Sequence, residues 1–289
     1  MYGAIIGDIL GSSYEFEEIK FDNVSPHTKS LYDIPLCIDS DHFTDDTVLT
    51  LAVMDWLLHD IKKDYYDDEA LKTSLAKRFV QWTGFYRDRE IAYGLSYLDF
   101  FYRAELIQEY IPQNSCGNGS AMRVSPVGWF FDTMEETLRF AKLSADVTHN
   151  HPEGQKGAMC IAAAIFLARH GKSKYEIRDY LTRAFGYSKL NKSVLDLRKY
   201  YERVCTCQDT VPESVVCFLE SDDYESAIRL AISFGGDTDT MAAMSGSIAE
   251  AFYNRVPDEL ISYSKMKLTK EAVFLVEKFY KTVKTEAQV

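Results

Sequence analysis

Apolar residues recur at helical spacing along most of this chain. The segments with this spacing are residues 48–58, 135–147, 157–168, 226–234, 241–252 and 270–283. Residues 48–58 and 157–168 are apolar on nearly every side, which is typical of helices buried among other helices. Residues 270–283 have the pattern of a surface-facing final helix. Strand-like alternation with hairpin turns is hard to find, so we expect an all-α fold, with residues 1–289 forming a single domain of many helices.

Three short segments refine this prediction. Residues 241–252 carry Ala, Gly and Ser at close spacing, which predicts that a neighbouring backbone approaches closely. Gly235 and Gly236 predict the end of the preceding helix. Residues 215–219 are compatible with a strand, but Pro212 is also typical of a helix start. The sequence leaves that segment open.

The composition indicates a folded, acidic protein. Of 289 residues, 46% are hydrophobic and 13% aromatic, enough for a large core, and the net charge is −12. This charge argues against broad nucleic-acid binding, which relies on Lys and Arg neutralising phosphates, but it allows a small anionic ligand. Six cysteines without metal-type spacing are interpreted as reduced thiols in a cytoplasmic protein. The N-terminus lacks a basic leader, and no uncharged run reaches the ~18 residues of a membrane helix.

Two similar acidic clusters lie near opposite ends of the chain. Thr44-Asp45-Asp46-Thr47 and Asp237-Thr238-Asp239-Thr240 each directly precede an apolar segment. N-capping would explain either cluster alone, but a cap needs one side chain, and each cluster supplies three or four. If the two helix starts converge, two divalent cations could lie among Thr44, Asp45, Asp46, Asp237, Asp239 and Thr240. Because the donors are all oxygen, Mg²⁺ or Mn²⁺ fits better than zinc.

Three other segments each allow a structural and a functional interpretation. The Gly-rich residues 116–123 form either a turn or a phosphate cradle. In residues 7–15, Asp8 suits a capping role and Glu15 an ordinary surface carboxylate. His149 either closes a polar loop near a helix end or contacts a ligand hydroxyl. The residues alone favour the structural interpretation of each segment.

Other families that use paired acids fit less well. Isoprenoid synthases need carboxylates four apart on one helical face. After Asp46 and Thr47 come Val48, Leu49 and Thr50, none of which is acidic, so this pattern fails. The His-Asp phosphohydrolases would use His59 and Asp60, but six histidines in the chain leave too few further ligands. The simpler interpretation is that His59-Asp60 ends a helix.

Taken together, the motifs resemble those of the ADP-ribosylglycohydrolases, the group that contains the dinitrogenase reductase-activating glycohydrolase and the serine-type ADP-ribosyl hydrolases. The resemblance runs from Gly3 to about Tyr253. Five motifs appear in the family's order: Gly-Asp-x-x-Gly-x-x-x-Glu (7–15), Phe-Thr-Asp-Asp-Thr (43–47), Gly-Asn-Gly-Ser-Ala-Met-Arg (117–123), Thr-His (148–149) and Gly-Gly-Asp-Thr-Asp-Thr (235–240). Each is modest alone, whereas five in order make chance similarity improbable.

The resemblance implies an orthogonal helical bundle around a binuclear Mg²⁺ or Mn²⁺ site. The metal ligands would be Thr44, Asp45 and Asp46 from one side and Asp237, Asp239 and Thr240 from the other. It also implies catalytic roles for Glu15, Asp46 and Asp239. Gly117, Asn118, Gly119 and Ser120 would hold a diphosphate, and His149 would contact the distal ribose. The adenine-stacking aromatic is not assigned, and residues 16–42, with Asp33, Asp39 and Asp41, are expected to form a loop over the site.

The implied function is removal of ADP-ribose from a modified protein, with arginine as the first choice of linkage and serine or another O-linkage as the nearest variant. Hydrolysis of a small ADP-ribosyl compound or nucleoside is one alternative, and a non-catalytic structural relative is another. The complete ligand set and Glu15 argue against the latter. A wide pocket mouth would favour a protein adduct over a small substrate. The oligomeric state stays open.

Overall fold

The computed structural model describes residues 2–15, 21, 24–61 and 67–286. The helices are α1 (Tyr2–Ser12), α2 (Asp45–His59), α3 (Asp68–Phe85), α4 (Leu95–Ile107), α5 (Gly119–Met122), α6 (Ser125–Phe130), α7 (Met134–Asp146), α8 (Pro152–Arg169), α9 (Lys174–Phe185), α10 (Val194–Arg198), α11 (Cys207–Leu219), α12 (Tyr224–Ile232), α13 (Thr238–Tyr253), α14 (Asp258–Lys267) and α15 (Lys270–Glu286). Two short 3₁₀ turns cover Lys29–Asp33 and Ser188–Asn191. The described residues form no β-strand, which confirms the all-α prediction; the one extended pairing is an isolated bridge between Gly117 and Thr206.

Helix α13 forms the centre of the fold. Its residues 238–251 are all buried, and it packs against α1, α8, α11 and α12. The closest partner is α1, which presents glycines four residues apart. A Cβ atom on Gly7 would lie 2.2 Å from the carbonyl oxygen of Ala242, and one on Gly11 would lie 2.5 Å from that of Thr238. The close backbone approach predicted for this segment is therefore confirmed.

The strongly periodic segments form the predicted helices. Residues 48–57 of α2 are all buried, as expected for a helix that is apolar on every side. Gly235 and Gly236 follow α12 with positive φ angles of 70° and 76°, a conformation that glycine adopts without strain. Helix α15 buries Ala272, Val276 and Phe279 and exposes its other face. The predicted helix end at His59-Asp60 is also confirmed, since α2 ends at His59.

Residues 215–219, which the sequence left open between strand and helix, are helical, so the strand interpretation is wrong. Helix α11 begins at Cys207, and Pro212 lies inside it rather than at its start. Proline lacks the N–H that would bond the carbonyl four residues earlier, here that of Gln208. The ammonium group of Lys189 donates to this carbonyl at 3.4 Å. A contact from a distant segment thus helps to accommodate a residue that normally interrupts a helix.

The segment expected to cover the site is described in part. Residues 16–20 and 22–23 lie outside the described residues. Asp41 accepts hydrogen bonds from the backbone N–H of Ile38 and the hydroxyl of Tyr263, both at 3.0 Å. The bond from Tyr263 holds the segment around Asp41 against α14. None of the described helices combines the length and the hydropathy needed to cross a membrane.

Candidate active site

Asp8 anchors the start of α2 from inside α1. Its fully buried carboxylate accepts hydrogen bonds from the backbone N–H groups of Thr44 and Thr47, both at 3.0 Å. It also accepts from their hydroxyls, at 2.7 and 2.5 Å respectively. Burial raises the pKa of Asp8, and these four donors oppose that rise. Asp8 therefore has the capping role predicted for it, and it fixes α2 against α1.

The starts of α2 and α13 meet beside the end of α1. The hydroxyl of Thr240 donates to Oδ2 of Asp46 at 3.1 Å, joining residues 194 positions apart. Carboxylate oxygens of Glu15, Asp237 and Asp239 lie within 4.8 Å of one another. Two acidic helix starts and one further glutamate thus form a single cluster around the first turn of α13.

Capping explains only part of this cluster. The Thr44 hydroxyl accepts the backbone N–H of Asp46 at 3.3 Å, as an N-cap does. Asp237 occupies the N-cap position of α13, but its side chain makes no capping bond. Its Oδ2 instead accepts from the side-chain amide of Asn118 at 2.5 Å. Asn118, from the Gly-rich loop, therefore orients a carboxylate of the acidic cluster.

Two buried carboxylate oxygens in the cluster lack a donor among the described residues. Oδ1 of Asp46 and Oδ1 of Asp239 are buried and accept no hydrogen bond from the described part of the chain. Burial, followed by repulsion from neighbouring carboxylates, raises the pKa of Asp45, Asp46 and Asp239 well above the usual range for aspartate. A buried carboxylate without donors is costly unless a cation neutralises it. The all-oxygen donor set and the orphaned oxygens fit a hard divalent cation.

Glu15 lies just beyond α1, at the edge of the cluster. Burial, with a further contribution from Asp237, raises the pKa of Glu15 to about 7. Arg203 opposes this rise and forms an ion pair with Glu15 at 3.3 Å. Glu15 is thus not the ordinary surface carboxylate that its residue pattern favoured. Its carboxyl group can change protonation state near neutral pH.

A cavity of about 510 Å³ opens above the acidic cluster. The predicted site residues that line it are Glu15, Asp45, Gly117, Asn118, Gly119, His149, Asp237, Asp239 and Thr240. Thr44 lines a smaller adjacent cavity of about 80 Å³, which it shares with Glu15. Asp46 is buried and is joined to the main cavity wall through Thr240. The side chain of Ser120 is fully buried and donates to the carbonyl oxygen of Gly154 at 2.7 Å, so it faces α8 rather than the cavity.

The Gly-rich loop is held in place by the segment before α11. The backbone N–H of Asn118 donates to the carbonyl of Cys205 at 3.1 Å, and that of Cys207 donates to Cys116 at 3.0 Å. The N–H of Gly117 donates to the Ser115 hydroxyl at 3.1 Å. Two of the loop's amides are therefore already used within the protein. The N–H groups of Gly119 and Ser120 begin α5, where helical partners are missing.

Sequence analysis did not single out several residues of the cavity wall. Tyr93 and Tyr97 line it as a stacked pair, with ring centroids 5.3 Å apart. Arg123, the last residue of the Gly-rich motif, lines it from a fully buried position. Arg203 comes from an irregular segment without periodicity. The four-residue spacing of the tyrosines was a signal, but 19 tyrosines in the chain made it weak.

Comparison with known proteins identifies the family. The family model for "ADP-ribosylglycohydrolase" matches residues 1–287. The human "ADP-ribosylhydrolase ARH3" is 28% identical over 89% of this chain and 85% of its own length. The "ADP-ribosylarginine hydrolase Tri1" of Pseudomonas putida is 24% identical over 88% of this chain and 69% of its own length.

A solved structure has the same fold. This structure, an "ADP-ribosylglycohydrolase-related protein complex", has a TM-score of 0.70 over 97% of this chain and 95% of its own, at 21% identity. The likeness shows that the helical arrangement described above is one already known. Together with the whole-chain match to the family model, it shows that this chain belongs to the ADP-ribosylglycohydrolase family.

Proposed function

We propose that this protein hydrolyses the glycosidic bond between ADP-ribose and a modified arginine side chain, releasing free ADP-ribose. The observation that carries the proposal is the cluster of buried carboxylates with unpartnered oxygens next to an open cavity. We further propose that residues 1–289 act as a single domain. The free state of all six cysteines supports a cytoplasmic location.

Two divalent cations, Mg²⁺ or Mn²⁺, are proposed to lie within the cluster. The residues that would hold them are Thr44, Asp45 and Asp46 at the start of α2, and Asp237, Asp239 and Thr240 at the start of α13. Support comes from the orphaned oxygens of Asp46 and Asp239, because buried carboxylate oxygens without donors fit the coordination of a cation. When bound, such ions polarise a water molecule and fix substrate oxygens.

Glu15 is the residue proposed to accept the proton of the attacking water. A general base works best with a pKa near the operating pH, and the pKa of Glu15 is raised to about 7. Asp46 and Asp239 are proposed to act with it, because fixed negative charge stabilises the positive charge that develops on the ribose during bond cleavage. Asn118 supports this arrangement by holding the carboxylate of Asp237.

The rest of the cavity suits the remainder of ADP-ribose. The N–H groups of Gly119 and Ser120 are proposed to bind the diphosphate, with Gly117 and Asn118 shaping the loop that presents them. The proposed contact of His149 is the distal ribose. The stacked tyrosines Tyr93 and Tyr97 give one wall an aromatic surface that is compatible with a base.

The mouth of the cavity favours a protein adduct over a small enclosed substrate. Exposed residues 92 and 94–96 form part of the wall, and 86% of Leu95 is accessible to solvent. The relative from Pseudomonas putida is named an ADP-ribosylarginine hydrolase. An acidic surrounding also attracts the cationic guanidinium of a modified arginine. The exposed mouth thus supports a protein adduct, and the other two points support the arginine linkage.

The test is release of free ADP-ribose from matched arginine- and serine-ADP-ribosylated peptides, with Mg²⁺, with Mn²⁺ and with a chelator. We expect metal-dependent release from the arginine peptide, and none after Asp46→Ala or Asp237→Ala substitution in a protein that still folds. Release from the serine peptide alone would assign the linkage to serine. No release from either peptide, with metal bound, would overturn the proposal in favour of a small-molecule substrate or a non-catalytic role.

A further inference from the structure

His149 belongs to a buried chain of hydrogen bonds that starts at Arg123. The Nη2 atom of Arg123 lies 2.7 Å from the hydroxyl oxygen of Thr148, and that oxygen lies 2.7 Å from Nδ1 of His149. All three residues are buried, and Arg123 is fully so. The arginine is fixed by the carbonyl of Ser144 at 3.2 Å and by the ring of Phe79, whose centroid lies 4.3 Å from the guanidinium carbon. The guanidinium of Arg123, where this series of hydrogen bonds starts, is therefore held in place.

The direction of each proton in this chain follows from the groups involved. A guanidinium only donates, so the Thr148 oxygen must accept from Arg123. The hydroxyl proton of Thr148 then needs an acceptor, because a buried polar group without a partner is costly. Among the described residues, the acceptor recorded for this hydroxyl is Nδ1 of His149. Nδ1 can accept only when it carries no proton, which places the proton of the neutral imidazole on Nε2.

Nε2 of His149 faces the Gly-rich loop. It lies 3.0 Å from the position that a Cβ atom would take on Gly119, and 3.5 Å from the corresponding position on Gly117. The two glycines thus leave open space directly at this nitrogen. Nε2 makes no hydrogen bond to any residue that the structure describes, and His149 lines the main cavity. The nitrogen is therefore available to a ligand.

We propose that Arg123 and Thr148 are positioning residues that hold His149 as the neutral Nε2–H tautomer, which donates a hydrogen bond to an acceptor oxygen of the ligand. Burial and the charge of Arg123 also lower the pKa of His149 well below its usual value, so the ring stays neutral. A neutral ring that carries its proton on Nε2 can donate to a hydroxyl or ether oxygen of the ligand. At this nitrogen it cannot accept a hydrogen bond from an N–H group. The ligand part of this inference rests on the proposed function, in which that oxygen belongs to a ribose.

Nuclear magnetic resonance of the histidine nitrogens tests the tautomer without any ligand or metal. The ¹⁵N-histidine-labelled protein is compared with its Thr148→Val and Thr148→Ser variants, and His149 is assigned by comparison with His149→Asn. We expect a protonated Nε2 and an unprotonated Nδ1 in the wild type and in Thr148→Ser. In Thr148→Val, which keeps the shape but removes the hydroxyl, we expect a mixture of tautomers. A protonated Nδ1 in the wild type, or an unchanged spectrum in Thr148→Val, would overturn the inference.

A substitution of Arg123 tests separately whether this arginine is needed to fix the tautomer of His149. Arg123→Met keeps an unbranched stem beside Phe79 and removes the donor to Thr148. We expect the same mixture of tautomers, because Thr148 can then accept a proton from Nδ1. A single Nε2–H tautomer in this variant would show that Thr148 acts without Arg123. Because replacing a buried arginine can impair folding, the two Thr148 variants decide the inference independently.

Affinity for ADP-ribose tests the consequence for the ligand. By calorimetry with Mn²⁺ present, we expect Thr148→Val to bind ADP-ribose roughly twofold more weakly than the wild type, because only a fraction of the molecules then carries the proton on Nε2, and Thr148→Ser to restore the affinity. Equal affinity in all three proteins would overturn the assigned contact. If the wild type fails to bind ADP-ribose, the proposed function fails instead, while the tautomer measurement still judges the role of Arg123 and Thr148.

Discussion

The carboxylates of Asp46 and Asp239 bring negative charge into the interior without enough hydrogen-bond donors to stabilise it. Each has one buried oxygen without a partner in the described part of the chain. By contrast, Asp55, a mostly buried carboxylate remote from the cluster, accepts from Nη1 of Arg78 and from the indole of Trp82, both at 3.0 Å. The unpartnered oxygens of Asp46 and Asp239 fit the proposed divalent cations, whereas the carboxylate of Asp55 is stabilised by donors from within the protein.

This contrast predicts opposite effects of two matched substitutions on thermal stability. Asp239→Asn relieves repulsion in the metal-free protein, so its melting temperature should rise, by about 2–4 °C for each kcal/mol relieved. Addition of Mn²⁺ should then raise the melting temperature of this variant by less than it raises that of the wild type. Asp55→Asn should lower the melting temperature, because two charge-assisted hydrogen bonds weaken, while the stabilisation by Mn²⁺ stays intact. Thermal unfolding with and without Mn²⁺ measures both, and a full Mn²⁺ response in Asp239→Asn would contradict the metal assignment.

The raised pKa of Glu15 predicts a pH dependence of the metal-free protein. A carboxyl group whose pKa rises from about 4.5 to about 7 on folding binds more protons in the folded state. The free energy of unfolding therefore falls as the pH rises from about 4.5 through about 7. Denaturant unfolding between pH 5 and pH 8 should show this loss, and Glu15→Gln should reduce it. A loss of the same size in Glu15→Gln would contradict the assigned pKa.

At the scale of elements, the contact between α1 and α13 determines the geometry of the site. Helix α1 carries Asp8 and leads directly to Glu15, and α13 begins with the second acidic cluster. Their backbones touch because glycines of α1 face α13 along the contact. A shift of either helix would therefore move the carboxylates relative to one another.

Gly7→Ala should disturb this contact severely. The added methyl carbon would lie 2.2 Å from the carbonyl oxygen of Ala242, and no flexible side chain can move aside there. We expect a loss of about 3 kcal/mol in the free energy of unfolding, at the upper end of the range for overpacked cores, together with weaker Mn²⁺ binding.

The control is Gly84→Ala in α3, where the nearest atom lies 4.0 Å away. It should stabilise the protein by up to about 1 kcal/mol, and equal effects of both substitutions on denaturant unfolding would contradict this account.

Periodicity predicted six of the helices, among them α2, α8 and α13, but it did not single out α3, which has the same length as α8. It also left the structure open where a distant contact affects the local conformation. The interior of α2 is apolar on every side, so its sequence is compatible with little else. Pro212 normally interrupts a helix, and its tolerance inside α11 involves Lys189, which no local pattern reveals. The prediction for residues 215–219 stayed open for the same reason.

Across the whole molecule, the sequence motifs identified the residues of the acidic cluster but not most of the residues that line the cavity wall beside it. The two acidic clusters were recognisable because each combines several oxygen ligands with an apolar helix. The resemblance to a known family then connected them. The bond between Thr240 and Asp46, the ion pair of Arg203 with Glu15 and the aromatic pair beside the cavity depend on tertiary packing. No spacing along the chain specifies these contacts.

The proposed binding of divalent cations between the starts of α2 and α13 can be tested by counting the Mn²⁺ ions that the protein binds. The measurement is equilibrium dialysis of the full chain followed by elemental analysis, with unfolding curves to show that each variant is folded. We predict two Mn²⁺ ions per wild-type chain, fewer in Asp239→Asn and two in Asp55→Asn. A folded wild-type chain without Mn²⁺, or an Asp239→Asn variant that binds as many ions as the wild type, would show that these two helix starts do not form the metal site.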